Sequence, residues 1–180
     1  MLNKSYSIEH NNISDILHWI DKGTIGIPEM QRPFVWSTTQ VRDLIDSLYR
    51  GYPIGFIVTW QNPDASLKMG GKGQNKEIII DGQQRITALS AALMGKEIVD
   101  DKYLKKRIYI SFNPITEEFA TRSAAIAKDP KWIPDISIFS QPNFDEFEYV
   151  VNNSERLGLP GNELNKIIQN KLIPSSANGV

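Results

Sequence analysis

The chain has 180 residues, 41% of them apolar, enough for one domain with a proper core or one domain and part of a second. Its 20 basic and 21 acidic residues nearly cancel, so no global charge draws it to nucleic acid. Cysteine is absent, which excludes disulfides, thiol catalysis and cysteine-based zinc sites, and the two histidines, His10 and His18, are too few for a His-rich metal nuclease centre.

No apolar run approaches a membrane span, so no membrane partner is expected. Met1 to Ser5 lack the apolar core of a secretory signal. Nothing suggests secretion, and a cytoplasmic setting is the expectation. In chain order, Asn11 or Asn12 can cap a short helix carrying Ile13, Ile16, Leu17 and Ile20, which Lys22-Gly23 ends. Thr24 to Ile27 reads as a short strand closed by Pro28. The loop Glu29-Met30-Gln31-Arg32-Pro33-Phe34-Val35-Trp36 is dense in polar and aromatic residues, and loops held between regular elements often carry binding groups. Phe34 and Trp36 read as core anchors. Arg32 precedes Pro33, which holds its backbone extended, so its side chain can aim into a neighbouring cleft.

Ser37-Thr38-Thr39-Gln40 is a capping-box pattern. The helix it opens carries Val41, Leu44, Ile45 and Leu48 on one face, with Arg42, Asp43 and Asp46 on a solvated one. Arg50-Gly51-Tyr52-Pro53 ends it, and Gly55 to Trp60 reads as a strand. Residues 61–76 form a loop with a glycine-rich basic run, Lys68 to Lys76. The spacing does not match a phosphate-cradling P-loop and a strand follows it, so it reads as a mobile surface loop able to touch an anionic partner.

The most informative stretch is Ile78-Ile79-Ile80-Asp81-Gly82-Gln83-Gln84-Arg85-Ile86-Thr87-Ala88-Leu89. Three β-branched residues predict a buried strand. From Gln83 the apolar positions Ile86, Leu89 and Leu93, with alanines between them, have helical spacing, and Gly95 stops the helix. A strand thus feeds a helix through a very short turn. The first N–H groups of that helix lack intrahelical partners, and the helix dipole adds positive charge there. Gly82 lets a ligand approach the backbone, Arg85 offers a fork of donors suited to phosphate, and Asp81 could hold a hydrated Mg²⁺ or orient a water. A structural reading stands beside this one. Asp81 and Gln84 also match a capping box, and first-turn arginines are usually solvated.

Lys102, Lys105, Lys106 and Arg107 form a short basic cluster, which could meet nucleic acid but is more often a solvated face. Arg107 to Phe112 alternates like a strand, Asn113-Pro114 turns, and Glu117 to Thr121 returns as a hairpin partner. Prolines then break the pattern. Residues 144–151 and Asn162 to Leu172 read as helical, the latter with Leu164, Ile167 and Ile168 on one side, and Pro174 to Val180 as a frayed tail. The expected organisation is a domain over residues 1–125 and a helical extension over 126–180 without a completed core of its own.

Two stretches carry a resemblance. Ile27 to Trp36 resembles the first box, and Ile80 to Leu89 the D-G-Q-Q-R box, of the GmrSD-type restriction endonuclease N-terminal domain; Tyr52-Pro53-Ile54-Gly55 between them also fits. The likeness covers roughly residues 5–125. It implies an α+β fold of the ParB/sulfiredoxin-like superfamily, a small mixed sheet with flanking helices, followed by the helical extension. In ParB the corresponding box contacts CTP phosphates, and in sulfiredoxin it contacts ATP. The resemblance therefore implies a domain that binds and hydrolyses a nucleoside triphosphate with Mg²⁺, within a bacterial modification-dependent restriction and phage-defence system. The alternative is a non-hydrolysing DNA-binding or assembly module of the same fold.

Carried over by position, the resemblance makes Asp81 the catalytic and metal-facing acid. Gln31 and Arg85 join it in catalysis. Arg32, Gly82, Gln83, Gln84, Arg85 and Thr87 form the phosphate cradle. The histidine-bearing nuclease half of such systems is not among these residues, so DNA cutting is not implied for them. DNA would be reached through a fused or partner nuclease, and oligomers are possible. Sulfiredoxin chemistry is excluded because it needs a cysteine.

Overall fold

A computed structural model describes residues 6–28, 33–61 and 77–172. The first half runs α1 (Ile13–Asp21), β1 (Ile25–Gly26), α2 (Thr38–Tyr49), β2 (Val58–Gln61), β3 (Glu77–Asp81) and α3 (Gln83–Leu93). There follow β4 (Ile98–Val99), β5 (Lys105–Lys106), β6 (Ile110–Asn113), β7 (Glu118–Thr121), α4 (Ala124–Lys128), a 3₁₀ turn (Ile136–Ser140), α5 (Glu146–Leu157), α6 (Gly161–Ile167) and a π-helical turn (Ile168–Leu172). The fold is α+β. Its main sheet has the order β1-β3-β2, with β1 parallel and β2 antiparallel to β3. β4–β5 and β6–β7 are separate antiparallel pairs.

The core is gathered around α3. Ile86, Ala88, Leu89, Ala91 and Ala92 have no exposed surface, so this helix is covered on several sides rather than along one stripe. The alanines leave room for α1, α2 and the 3₁₀ turn to pack close. Full burial of Ile86 or Leu89 is worth roughly 1.5–3 kcal/mol each. Leu157, Leu164, Ile168 and Leu172 of the last helices join the same apolar cluster. Tilted and edge-on ring contacts bind the periphery to it: Tyr49, Phe112 and Phe119 join α2 to the β6–β7 hairpin, and Phe139, Phe144 and Tyr149 join the 3₁₀ turn to α5. Burial pushes the Tyr149 hydroxyl up to about 12.

Local signals produced the expected caps where they lie within one turn. Ser37 and Gln40 form both bonds of the capping box at α2. Several expectations need correction. Asn12 is the N-cap of α1 but makes no side-chain cap bond. Ile80 is 57% exposed, although Ile78 and Ile79 are buried, because β3 runs out from under its cover at its carboxyl end. β2 begins at Val58, not Gly55, because Gly55 has φ +86° and is not extended. β6 starts at Ile110 and is buried on both faces, so the alternation read from Arg107 does not describe it. α5 continues to Leu157, where Gly158 at φ +72° caps it. The glycine-rich basic run and the tail lie outside the described residues. Among the described residues no helix is long and apolar enough to cross a membrane.

Candidate phosphate site at the β3–α3 turn

β3 ends at Asp81 and α3 begins at Gln83, so Gly82 alone makes the turn. Gly82 is the N-cap, with φ +90°, and supplies no side-chain cap. A Cβ there would sit 2.5 Å from the Ile57 Cδ1 and 3.3 Å from an Arg85 nitrogen, so the position needs glycine twice over, for conformation and for space. This corrects the capping-box alternative. Asp81 lies one residue too early to cap α3, and the Gln84 side chain is engaged elsewhere. The first helical bond runs from the Ile86 N–H to the Gly82 carbonyl, 3.0 Å. The N–H groups of Gln83, Gln84 and Arg85 thus precede the helical ladder and, among the described residues, meet no side-chain cap.

Arg85 is not the solvated first-turn arginine of the structural reading. Its side chain is 18% exposed. One terminal nitrogen donates to the Ile54 carbonyl at 2.7 Å and the other to Asp81 Oδ2 at 3.3 Å. The guanidinium lies so close to the Gly55 backbone that a Cβ there would collide with Nη1. Ile54 and Gly55 are therefore part of the site. Sequence reasoning had them only as a fragment of the resemblance, although a glycine in that segment was a usable sign of close backbone approach. The Asp81 carboxylate is 72% exposed, with one oxygen toward Arg85.

Both glutamines turn away from the N-terminal end of α3. Gln83 donates to the Ile79 carbonyl at 2.8 Å. Gln84 straps the Pro33–Val35 segment, donating to the Pro33 carbonyl at 3.2 Å and accepting from the Val35 N–H at 3.1 Å. The Phe34 N–H donates to the Val99 carbonyl at 3.2 Å, and Phe34 is buried, as a core anchor should be. Gln31 and Arg32 lie outside the described residues. The residue that follows them, Pro33, is one of those that Gln84 holds against α3. Thr87 sits half-buried in the second turn of α3. Among the described residues no three His, Cys, Asp or Glu side chains come together. A Mg²⁺ ion at Asp81 would take its other ligands from phosphate oxygens and water, an arrangement that Mg²⁺ accepts.

The pattern of the GmrSD restriction endonuclease N-terminal domain matches residues 13–174. The chain belongs to that family. The match of this GmrSD N-terminal domain runs past residue 125 and takes in α5, α6 and the π-helical turn. An uncharacterized protein of Methanocaldococcus jannaschii is 27% identical over 139 residues, covering 68% of this chain and 24% of the relative. The chain spans about a quarter of that relative's length.

Proposed function

We propose that this GmrSD N-terminal domain binds a nucleoside triphosphate at the N-terminal end of α3 and hydrolyses it, as the regulatory part of a modification-dependent restriction and phage-defence system. The observation that supports this is the glycine N-cap with a restrained guanidinium beside it. The backbone N–H groups of Gln83, Gln84 and Arg85 would receive phosphate oxygens, and the free donors of Arg85 would add charge. Gly82 lets the phosphate approach. The side chains of Gln83 and Gln84 hold the turn in shape. Arg32 and Gln31, adjoining Pro33 in sequence, would complete the pocket, and Thr87 would support the cradle from the second turn.

In the hydrolytic step a water oxygen bonds to the terminal phosphorus, the bond to the bridging oxygen breaks, and the nucleoside diphosphate, inorganic phosphate and a proton are released. Asp81 orients that water, and Arg85 stabilises charge on the phosphoryl group. Mg²⁺, when bound with the nucleotide at Asp81, supplies charge neutralisation. The test is a titration of ATP, GTP, CTP and UTP with and without Mg²⁺, followed by phosphate release, on the wild type and Asp81→Asn. The substitution removes no cap, so the melting temperature should hold. Metal-free affinity should stay similar or tighten while phosphate release collapses. Normal turnover in Asp81→Asn would end the catalytic role.

A non-hydrolysing assembly module is the second reading. It draws on apolar side chains exposed on β2, on β3 and just before β2, Trp60 at 56%, Ile80 at 57% and Phe56 at 75%. Binding without phosphate release would favour it.

A further inference from the structure

The basic cluster that begins at Lys102 is not absorbed by the phosphate site. In the β6–β7 hairpin Ile110 pairs with Thr121, so the next cross-strand pair is Tyr109 with Arg122. The Arg122 N–H points to the Tyr109 carbonyl at 3.4 Å. Cross-strand partners share a face, and so do residues two apart along a strand. Tyr109 and Arg122 are therefore brought to one face at the open end of the hairpin, and Arg107 joins them from the segment between β5 and β6. The side-chain geometry agrees. The Arg122 guanidinium carbon lies 4.9 Å from the centre of the Tyr109 ring, and that of Arg107 lies 5.2 Å from it.

Two guanidinium groups on one ring repel each other unless anions compensate. Arg107 has a long contact to Asp135, 3.4 Å, and a bond to the Ser137 hydroxyl, 3.1 Å. Its guanidinium also packs against Gly95, where a Cβ would come within 2.6 Å of it. Arg122 forms no ion pair among the described residues. Lys105 and Lys106 directly precede Arg107, and no acidic residue lies between Lys102 and Arg107. Lys102, Lys105, Lys106, Arg107 and Arg122 thus bring five positive charges to this region, with Asp100, Asp101 and Asp135 beside them.

We propose that this region is a docking surface for the phosphate backbone of duplex DNA, centred on Arg107, Tyr109 and Arg122 and extended by Lys105 and Lys106. The cations come from β5, from Arg107 just after it and from Arg122 just after β7, so the charge is spread over a surface, which suits an extended polyanion better than a small anion. Arginines held on an aromatic ring present their remaining donors at a lower entropy cost than free side chains would. DNA is the partner of choice because the chain belongs to a restriction endonuclease family. The surface carries no base-reading feature, so it positions the protein without selecting a sequence.

The test is fluorescence anisotropy of the full chain with a duplex of arbitrary sequence, without nucleotide, over a salt series. The wild type should bind, and its affinity should fall as salt rises. Arg107→Gln with Arg122→Gln should lower affinity about tenfold or more and reduce the slope of log affinity against log salt by about 2. Arg122→Gln alone, at an exposed position, keeps the test valid if the double variant unfolds, and should reduce the slope by about 1. Arg122→Gln should leave triphosphate binding at the β3–α3 turn unchanged, so failure here is distinct from failure of the nucleotide reading. No binding at low salt, or wild-type affinity and slope in the Arg122 variant, would overturn the proposal. Tighter binding of single-stranded RNA or of anionic vesicles than of duplex DNA would overturn the choice of partner.

Discussion

Arginine is held in two different ways in this molecule. At the β3–α3 turn a single guanidinium is mostly buried, fixed by a backbone carbonyl 31 residues away and set beside a carboxylate. At the open end of the β6–β7 hairpin two guanidiniums rest on one tyrosine ring, and Arg122 among them has no carboxylate partner among the described residues. The first arrangement spends donors on the protein to fix a position. That suits a compact ligand whose phosphate must be placed to a fraction of an ångström. The second leaves the exposed Arg122 guanidinium without an ion pair among the described residues, which suits a partner recognised by charge density along its length. One residue type serves both because the guanidinium is planar, permanently charged and able both to fork and to stack.

The largest expected effect sharpens this contrast at the first site. Arg85→Ala removes a charge-assisted contact to phosphate worth about 1.5–3 kcal/mol, a loss of roughly ten- to a hundredfold in triphosphate affinity. The comparison adds a condition. The same variant should leave duplex binding at the second site unchanged. Arg85→Lys should rescue little, because an ammonium cannot reach Ile54 and Asp81 together in the fork geometry. Isothermal titration of triphosphate against both variants checks this, and undiminished affinity in Arg85→Ala would remove the arginine from the cradle.

Next in size is the glycine that makes the turn. Gly82→Ala places a Cβ at φ +90° against Ile57, and a non-glycine residue in such a region costs about 1–3 kcal/mol. Urea unfolding should report that loss. Arg85 should also be displaced, because its Nη2 lies 3.3 Å from the new Cβ position, so triphosphate binding should weaken beyond what stability alone explains.

These two residues also mark what could be read from the sequence and what could not. The strand–turn–helix, the Ser37 capping box and the β6–β7 hairpin were legible because their determinants lie within a few positions of each other. The capping box offered for Asp81 and Gln84 failed by one residue. The pattern counts positions but does not know that Gly82 takes positive φ and becomes the cap itself. The partners of Arg85 and Gln84 were not legible, because Ile54 and Pro33 are 31 and 51 residues away and only the packed core decides that they meet. The basic cluster was visible, but its centre was not. Arg122 reaches Tyr109 only through the hairpin register, although counting back from the Asn113-Pro114 turn would have put the two opposite each other.

The smallest expected effect concerns the turn that leads into the basic region. Where Gly82 makes its turn by backbone conformation, the β4–β5 connection is made by a carboxylate. Asp100 Oδ1 accepts from the N–H groups of Lys102 and Leu104, each at 2.9 Å, within a turn where Tyr103 has φ +59°. These backbone bonds, that of Leu104 foremost, hold the Asp100 carboxyl below its ordinary value of 3.8. A folded-state value below the unfolded one means that the carboxylate's contribution is fully present above about pH 3.8 and is lost as pH falls through the folded value. The protection of the Lys102 and Leu104 amides, taken relative to the intrinsic exchange rate at each pH, should therefore fall in that acid window. Asp100→Asn keeps an acceptor that does not titrate there, so those amides should lose their acid response while staying protected at neutral pH. Asp100→Ala should expose them at every pH. If Asp100→Asn instead keeps the acid response of the wild type, a different group governs the turn, and the contrast between a glycine-made and a carboxylate-made turn does not hold.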